Sequence, residues 1–255
     1  MTQEKLKEQN LKISAGTLGR ITRCKRCFYI ANKNKKLPFS IFPGIFSSID
    51  SFTKKAVRSS TEKFGVVPNF LQENYKSKIK GFPEKTGYMK FDIPNLDFTL
   101  TGIPDEILEL SDNTWSIIDY KTARYSDTQR DLFGIYQIQL NVYAYMFEQI
   151  NNVKVSKLAL VYMEPYCKIE PKNVSKIIVE HNSSKDDNGI VRSLALPFEP
   201  TFVEVEKNTK KFVFDPAKEA KDLLAGKIPA YKEGTCKDCD ALRNLNIYLK
   251  GINEF

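Results

Sequence analysis

Between Gly87 and Tyr120 apolar residues recur at every second position in short runs, whereas the segments on either side follow a helical period. Gly87 to Ile93 alternates and reads as the first core strand. A second run begins at Phe98 and ends near Leu110, and Trp115 to Tyr120 forms the third. Ser111-Asp112-Asn113-Thr114 has turn chemistry, so Gly102 to Lys121 is expected to fold as a hairpin. Upstream, Pro43-Gly44 opens a predicted helix with an apolar stripe of Phe46, Ile49, Phe52, Thr53, Ala56 and Val57. Gly65, Pro68, Gly81 and Pro83 then frame a helix-like piece, Asn69 to Lys80. Downstream, the longest predicted helix spans Leu132 to Gln149, with the stripe Leu132, Ile135, Gln139, Val142, Met146 and Ile150. Val155 to Tyr162 reads as a strand beside the third. Ser175 to Glu180 and Phe198 to Glu206 read as further strands. Asp215 is expected to cap a helix with Pro216 in its first turn and Gly226 at its end. A last helical segment follows Cys239. Near the start, Ser14 or Thr17 caps a short helix expected to carry Cys24 and Cys27, and residues 1–12 are expected to fray.

This frame places several polar groups where chemistry is possible. Strand side chains alternate, so Asp119 and Lys121 share one face. Asp105 lies beside them if the hairpin pairs in simple register. Two carboxylates suit a hard divalent cation, and a lysine suits an attacking water or developing phosphate charge. A bare Asp-x-Lys also reads as an exposed pair at a strand end. Gln139 interrupts an apolar stripe, with Tyr143 one turn later on the same side. Either the two hydrogen-bond each other inside the fold or both serve the acidic cluster. Cys24-x-x-Cys27 and Cys236-x-x-Cys239 have the spacing of metal knuckles, and four thiolates suit tetrahedral zinc or an iron–sulfur cluster. Such a centre would close a very long loop. Cys167 reads as a small apolar filler. His181 is the only histidine, which excludes a multi-histidine metal site; it reads as a strand-end surface residue.

Composition narrows the partner class. The 255-residue chain carries a formal net charge of +8, with a pI near 9.1, which suits a polyanion. Arg20, Arg23, Lys25, Arg26, Lys33, Lys35 and Lys36 make the most basic region. It is either a solvated surface or a backbone-binding patch interleaved with Phe28 and Tyr29. There is no long uncharged apolar run, so no membrane partner is expected. The first residues lack the apolar core of a secretory signal. A single intracellular, cytoplasmic domain over residues 1–255 is therefore expected, with reduced or metal-bound cysteines.

Gly102-Ile-Pro-Asp105, Ile118-Asp119-Tyr120-Lys121-Thr122 and Gln139-Leu-Asn-Val-Tyr143, in that order, resemble the motifs of the PD-(D/E)XK nuclease superfamily, in its RecB-like branch. The resemblance implies an α/β fold with a restriction-endonuclease-like core. Its mixed central sheet would be flanked by helices in the order helix, three antiparallel strands, helix, strand, with both chain ends clipped by the four cysteines. It implies divalent-metal-dependent hydrolysis of DNA phosphodiesters. Asp105, Asp119 and the Tyr120 carbonyl would hold Mg²⁺ or Mn²⁺, and Lys121 would orient the water. Gln139 and Tyr143 would position DNA or the acids. Single-stranded DNA or a duplex end is the implied partner, with a helicase or other repair protein beside it. DNA repair or recombination is the implied setting. CRISPR adaptation, or a non-catalytic nucleic-acid-binding module of the same fold, are the alternatives. Many members of the branch carry a histidine on the helix before the strands. Asp50 stands near that position, as an oxygen ligand or as a polar residue at the stripe's edge. Members closed by a cluster place one cysteine early and three late, whereas here the split is two and two. The resemblance favours an iron–sulfur cluster, with zinc the alternative.

Overall fold

The computed structural model describes residues 11–34, 43–83, 87–126, 132–166, 178–182, 190–194 and 197–251. Its central strand is β6 (Trp115–Lys121), whose alternation serves two cores at once. Trp115 and Ile117 face one apolar cluster and Ile118 and Tyr120 face the other. β5 (Glu106–Leu110) pairs with β6 antiparallel, Glu106 opposite Ile118 and Ile107 opposite Ile117, across the predicted turn. Asn113 takes a left-handed φ of 61° there, and the Asp112 carboxylate accepts from the Thr114 amide at 3.0 Å. β7 (Val155–Pro165) runs parallel to β6 on its other side. β10 (Phe198–Val205) pairs antiparallel with β7, and β2 (Ile79–Gly81) covers β5. The sheet is therefore mixed, in the order β10-β7-β6-β5-β2.

A second sheet of three strands takes the order β1-β4-β3, from β1 (Leu11–Ser14), β3 (Met89–Ile93) and β4 (Phe98–Gly102). The run from Phe98 to Leu110 is thus two strands in two sheets, broken at Ile103-Pro104-Asp105. Pro104 offers no amide to a ladder, and the chain changes sheets there. Leu11 and Lys12, expected to fray, instead lie in β1, parallel to β4.

Helices cover both faces of the main sheet. α1 (Ala15–Gly19) is capped by Ser14, which accepts from the Thr17 amide. The cysteines lie beyond it: Cys24 precedes α2 (Lys25–Asn34) and Cys27 lies within it. α3 (Gly44–Phe64) begins after Pro43 and ends at Gly65, in the left-handed conformation. Its expected stripe is only partly used. Thr53 and Val57 are buried, while Phe46 is exposed and Phe52 and Ala56, one residue off the buried line, face outward. α4 spans only Asn69–Gln72, and the rest of that expected helix is turn and strand. α5 (Phe133–Asn151) is buried nearly all round from Ile138 to Phe147, with Ile150 at its exposed end. Asn141, 1% exposed, donates to the Glu206 carbonyl at 2.9 Å and accepts from the Asn208 amide at 2.8 Å, fixing α5 to the chain after β10.

α6 (Asp215–Ala225) is not capped by Asp215; a wide π-type turn, Lys210–Phe214, leads into it. Pro216 removes an amide from the helical ladder and its ring crowds the carbonyl one turn back, which the wider turn relieves. α7 (Lys237–Gly251) closes the described chain. β8 (Ile178–Asn182) and β9 (Ile190–Leu194) form a separate hairpin, in which His181 is paired with Val191. Cys167, Lys35 and Lys36 lie outside the described residues. Among those described, no helix is long and apolar enough to cross a membrane.

Candidate active site

The β5–β6 ladder ends at the Glu106–Ile118 pair, and continuing its register by one step sets Asp105, in the bend before β5, towards Asp119. The Tyr120 amide donates to Asp105 Oδ2 at 3.0 Å and holds it there. Asp119 is 3% exposed, and Lys121, two residues on, forms an ion pair with its Oδ2. α5 supplies the roof. Gln139 Nε2 donates to Asp119 Oδ1 at 3.3 Å and to the Tyr143 hydroxyl at 3.1 Å. Gln139 therefore bonds Tyr143 and the Asp119 carboxylate at once.

The half-buried Asp105 carboxyl lies beside the Asp119 charge. Burial and the neighbouring Asp119 charge push the Asp105 carboxyl up from 3.8 to about 6, despite Lys54 and Lys121. Burial alone would disfavour the charged Lys121, but the Asp119 carboxylate outweighs it and raises its pKa. The Lys121 ammonium also lies 4.2 Å from the centre of the Tyr136 ring. Burial pushes the Tyr143 hydroxyl up to about 12, so it stays neutral, and its oxygen accepts from Gln139 Nε2. Asp105 and Asp119 bring carboxylate oxygens together in the way that a divalent cation favours, with the Lys121 ammonium already paired to Asp119 Oδ2. The donor set fits Mg²⁺ or Mn²⁺. The side chain of Tyr120 plays no part in this face; it is buried with Ile118 on the other side of the sheet.

Asp50 does not touch the acids directly. Lys54 stands between them, 2.6 Å from Asp50 Oδ2 and 2.7 Å from Asp105 Oδ1. One turn further, Arg58 grips the fully buried Glu106 through two contacts, Nη2–Oε1 at 2.6 Å and Nε–Oε2 at 3.1 Å. Asp50, Lys54 and Arg58 recur every four residues, so one face of α3 is ionically sewn to the start of β5.

Gly102 explains its own place in the motif. A Cβ there would fall 2.4 Å from Tyr143 Cε1, so the tyrosine ring occupies the space of a side chain. Gly19 does the same for α5: a Cβ would fall 2.4 Å from the Ile135 carbonyl oxygen. These two contacts let α1 and β4 approach α5 closely enough to set Gln139 over Asp119.

A family model described as the PD-(D/E)XK nuclease superfamily matches residues 50–243, well over half of the chain. The chain belongs to the PD-(D/E)XK nuclease superfamily. The mixed sheet flanked by helices is consistent with the restriction-endonuclease-like fold of that superfamily. A search of curated proteins gives no match. Among solved structures, one titled "Crystal structure of SSO0001" is similar at 15% identity, over 91% of this chain and 82% of the other, with a TM-score of 0.40.

Around this acid cluster lie features the sequence did not disclose. Lys54, Arg58, Glu106 and Tyr136 carry no motif, and only the packing of α3 and α5 on the sheet brings them in. The basic region is largely spoken for. Arg23 meets Asp238 at 3.4 Å, Lys25 pairs with Glu219, and Arg26 donates to the Pro229 carbonyl at 2.6 Å. Phe28 is 2% exposed and belongs to the core, so it is no stacking platform. Arg20 remains exposed and lines a cavity of about 370 Å³ that runs from Gln139 and Tyr136 to Cys24 and Cys236. At its far end the Sγ atoms of Cys24, Cys27, Cys236 and Cys239 gather within 4.8 Å of one another.

Proposed function

We propose that the chain is a divalent-metal-dependent deoxyribonuclease of the RecB-like branch, acting in DNA repair or recombination. The observation that carries the reading is that the Tyr120 amide holds the Asp105 carboxylate at the end of the β5–β6 ladder, beside Asp119 with Lys121 on its face. Asp105, Asp119 and the Tyr120 carbonyl would hold Mg²⁺ or Mn²⁺, which supplies Lewis-acid polarisation of a phosphoryl oxygen and a more acidic water. Lys121 orients the attacking water and offsets charge gathering on the phosphate oxygens. Gln139 fixes the Asp119 carboxylate, and Tyr143 holds Gln139 in turn. The ring of Tyr136 keeps one side of the Lys121 ammonium dry, which strengthens its field at the reacting phosphate. Arg20, exposed in the cavity beside Gln139, suits a backbone phosphate of the incoming strand. Asp50 acts through Lys54 rather than as a direct ligand.

The test is cleavage of labelled single-stranded and duplex DNA, with RNA as comparison, in Mg²⁺, Mn²⁺ and chelator. Metal-dependent cleavage that Asp119→Ala removes supports the reading. Metal-dependent DNA binding without cleavage would replace it with a non-catalytic binding module.

A further inference from the structure

The four cysteines invite a different question from the acids: what they hold. Their sulfurs make three short contacts, Cys27 to Cys239 at 3.2 Å, Cys27 to Cys236 at 3.6 Å and Cys24 to Cys239 at 3.7 Å. Every one of these joins the early pair to the late pair. All four sulfurs lie within 4.8 Å of one another.

Ligand geometry separates the candidate occupants. A tetrahedral ion with metal–sulfur bonds of 2.3 Å spaces its thiolates about 3.8 Å apart along each edge. In a cubane cluster each thiolate caps a different iron, and the ligand sulfurs stand roughly 6 Å apart. A two-iron cluster would keep two thiolates together on each iron and move the two pairs apart. Cys27 contacts both Cys236 and Cys239, while Cys239 contacts both Cys24 and Cys27, so the four cannot be divided into two separated pairs. The spacing of the four sulfurs is thus closer to that of one tetrahedral ion than to that of a cluster.

The backbone prepares the sulfurs for a metal. In each Cys-x-x-Cys the second cysteine's amide points at the first one's sulfur: the Cys27 amide donates to Cys24 Sγ at 3.4 Å, and the Cys239 amide donates to the Cys236 sulfur. Two matched knuckles facing each other present four sulfurs to one point, and amide–sulfur bonds offset the thiolate charge that a single divalent ion leaves unneutralised. Cys27, Cys236 and Cys239 are buried, and Tyr231 packs over them.

We propose that Cys24, Cys27, Cys236 and Cys239 form a mononuclear structural site for one tetrahedral thiophilic divalent ion, zinc by chemical class, in place of the iron–sulfur cluster that the family resemblance implies. The site is closed, with four protein ligands and no open position, so it has no part in hydrolysis. It stands or falls independently of the nuclease reading.

The experiment is metal analysis of the full chain purified without oxygen from cells supplied with both iron and zinc. The expected result is one zinc per chain, no acid-labile sulfide and no visible absorbance. Exchange with Co²⁺ is expected to give the intense visible bands of a tetrahedral tetrathiolate. Incubation of the zinc protein with ferrous iron and sulfide under argon is expected to leave the zinc in place. Recovery of iron and sulfide in equal numbers with broad brown absorbance would overturn the proposal, as would conversion of the zinc protein to a cluster form. Protein that holds no metal at the cysteines and gives no cobalt bands would also overturn it. None of these readouts depends on DNA cleavage.

Discussion

The acid site and the cysteine site are built by opposite means. Asp105, Asp119 and Lys121 come from one hairpin, where the β5–β6 ladder and the Tyr120 amide bring them together locally. The cysteines come from the two ends of the chain, 209 residues apart for Cys27 and Cys236, and no strand pairing connects them. In the acid site like charges are pressed together, which costs stability and creates affinity for an ion. In the cysteine site an ion would supply part of the folding free energy itself. One region spends stability on chemistry; the other restores it.

The sharpest break of that contrast comes from Asp119→Ala and Lys121→Ala. Both should lower cleavage by about three orders of magnitude or more, the scale of losing a ligand or a charge stabiliser. Folding, read by circular dichroism, should remain native, and wild-type turnover in either would remove the site assignment. Next in size is Cys236→Ser, which should lower the melting temperature and metal content together while residual folded protein still cleaves DNA. Full metal content with an unchanged melting temperature would mean that the four cysteines do not act jointly.

Gly102→Ala should fall between the two regimes. The added methyl meets Tyr143 and should cost about 1–3 kcal/mol, typical of overpacking. It should also reduce turnover, because Gln139 loses its fixed partner; turnover unchanged at that stability cost would make Tyr143 purely structural. The smallest effect is the most diagnostic of stored charge. Asp105 titrates near 6 in the folded chain against an ordinary 3.8, because of burial and Asp119. The folded metal-free protein therefore holds that proton more tightly, and its stability falls as pH rises through this window. Asp105→Asn removes the penalty. It should melt a few degrees higher than the wild type above pH 6 without divalent metal, and the gain should vanish below about pH 4. A variant less stable at neutral pH would show that the Lys54 ion pair outweighs the repulsion.

Much of the hairpin was legible because a period of two and a turn-rich Ser111–Thr114 segment fix register locally. Continued one step, that register set Asp105 towards Asp119. Gln139 stood out as a polar residue in an apolar stripe. The stripe of α3 was broader than the face the core uses: Thr53 and Val57 are buried, whereas Phe52, one residue off that line, is 66% exposed. The run from Phe98 to Leu110 looked continuous because β propensity does not reveal a change of sheet. Asp215 looked like a cap because its composition is right for one, while the preceding turn was already helical.

The sequence by itself determined the motif order, the strand face shared by Asp119 and Lys121, and the two cysteine knuckles, since all of these depend on spacing along one element. Tertiary structure alone decided that Lys54 lies between Asp50 and Asp105, that Arg58 neutralises the buried Glu106, and that Gly102 makes room for Tyr143. It also decided how closely four distant sulfurs meet. Contacts of this kind depend on the angle and distance between packed elements, which are set by the whole core and leave no periodic trace in the chain.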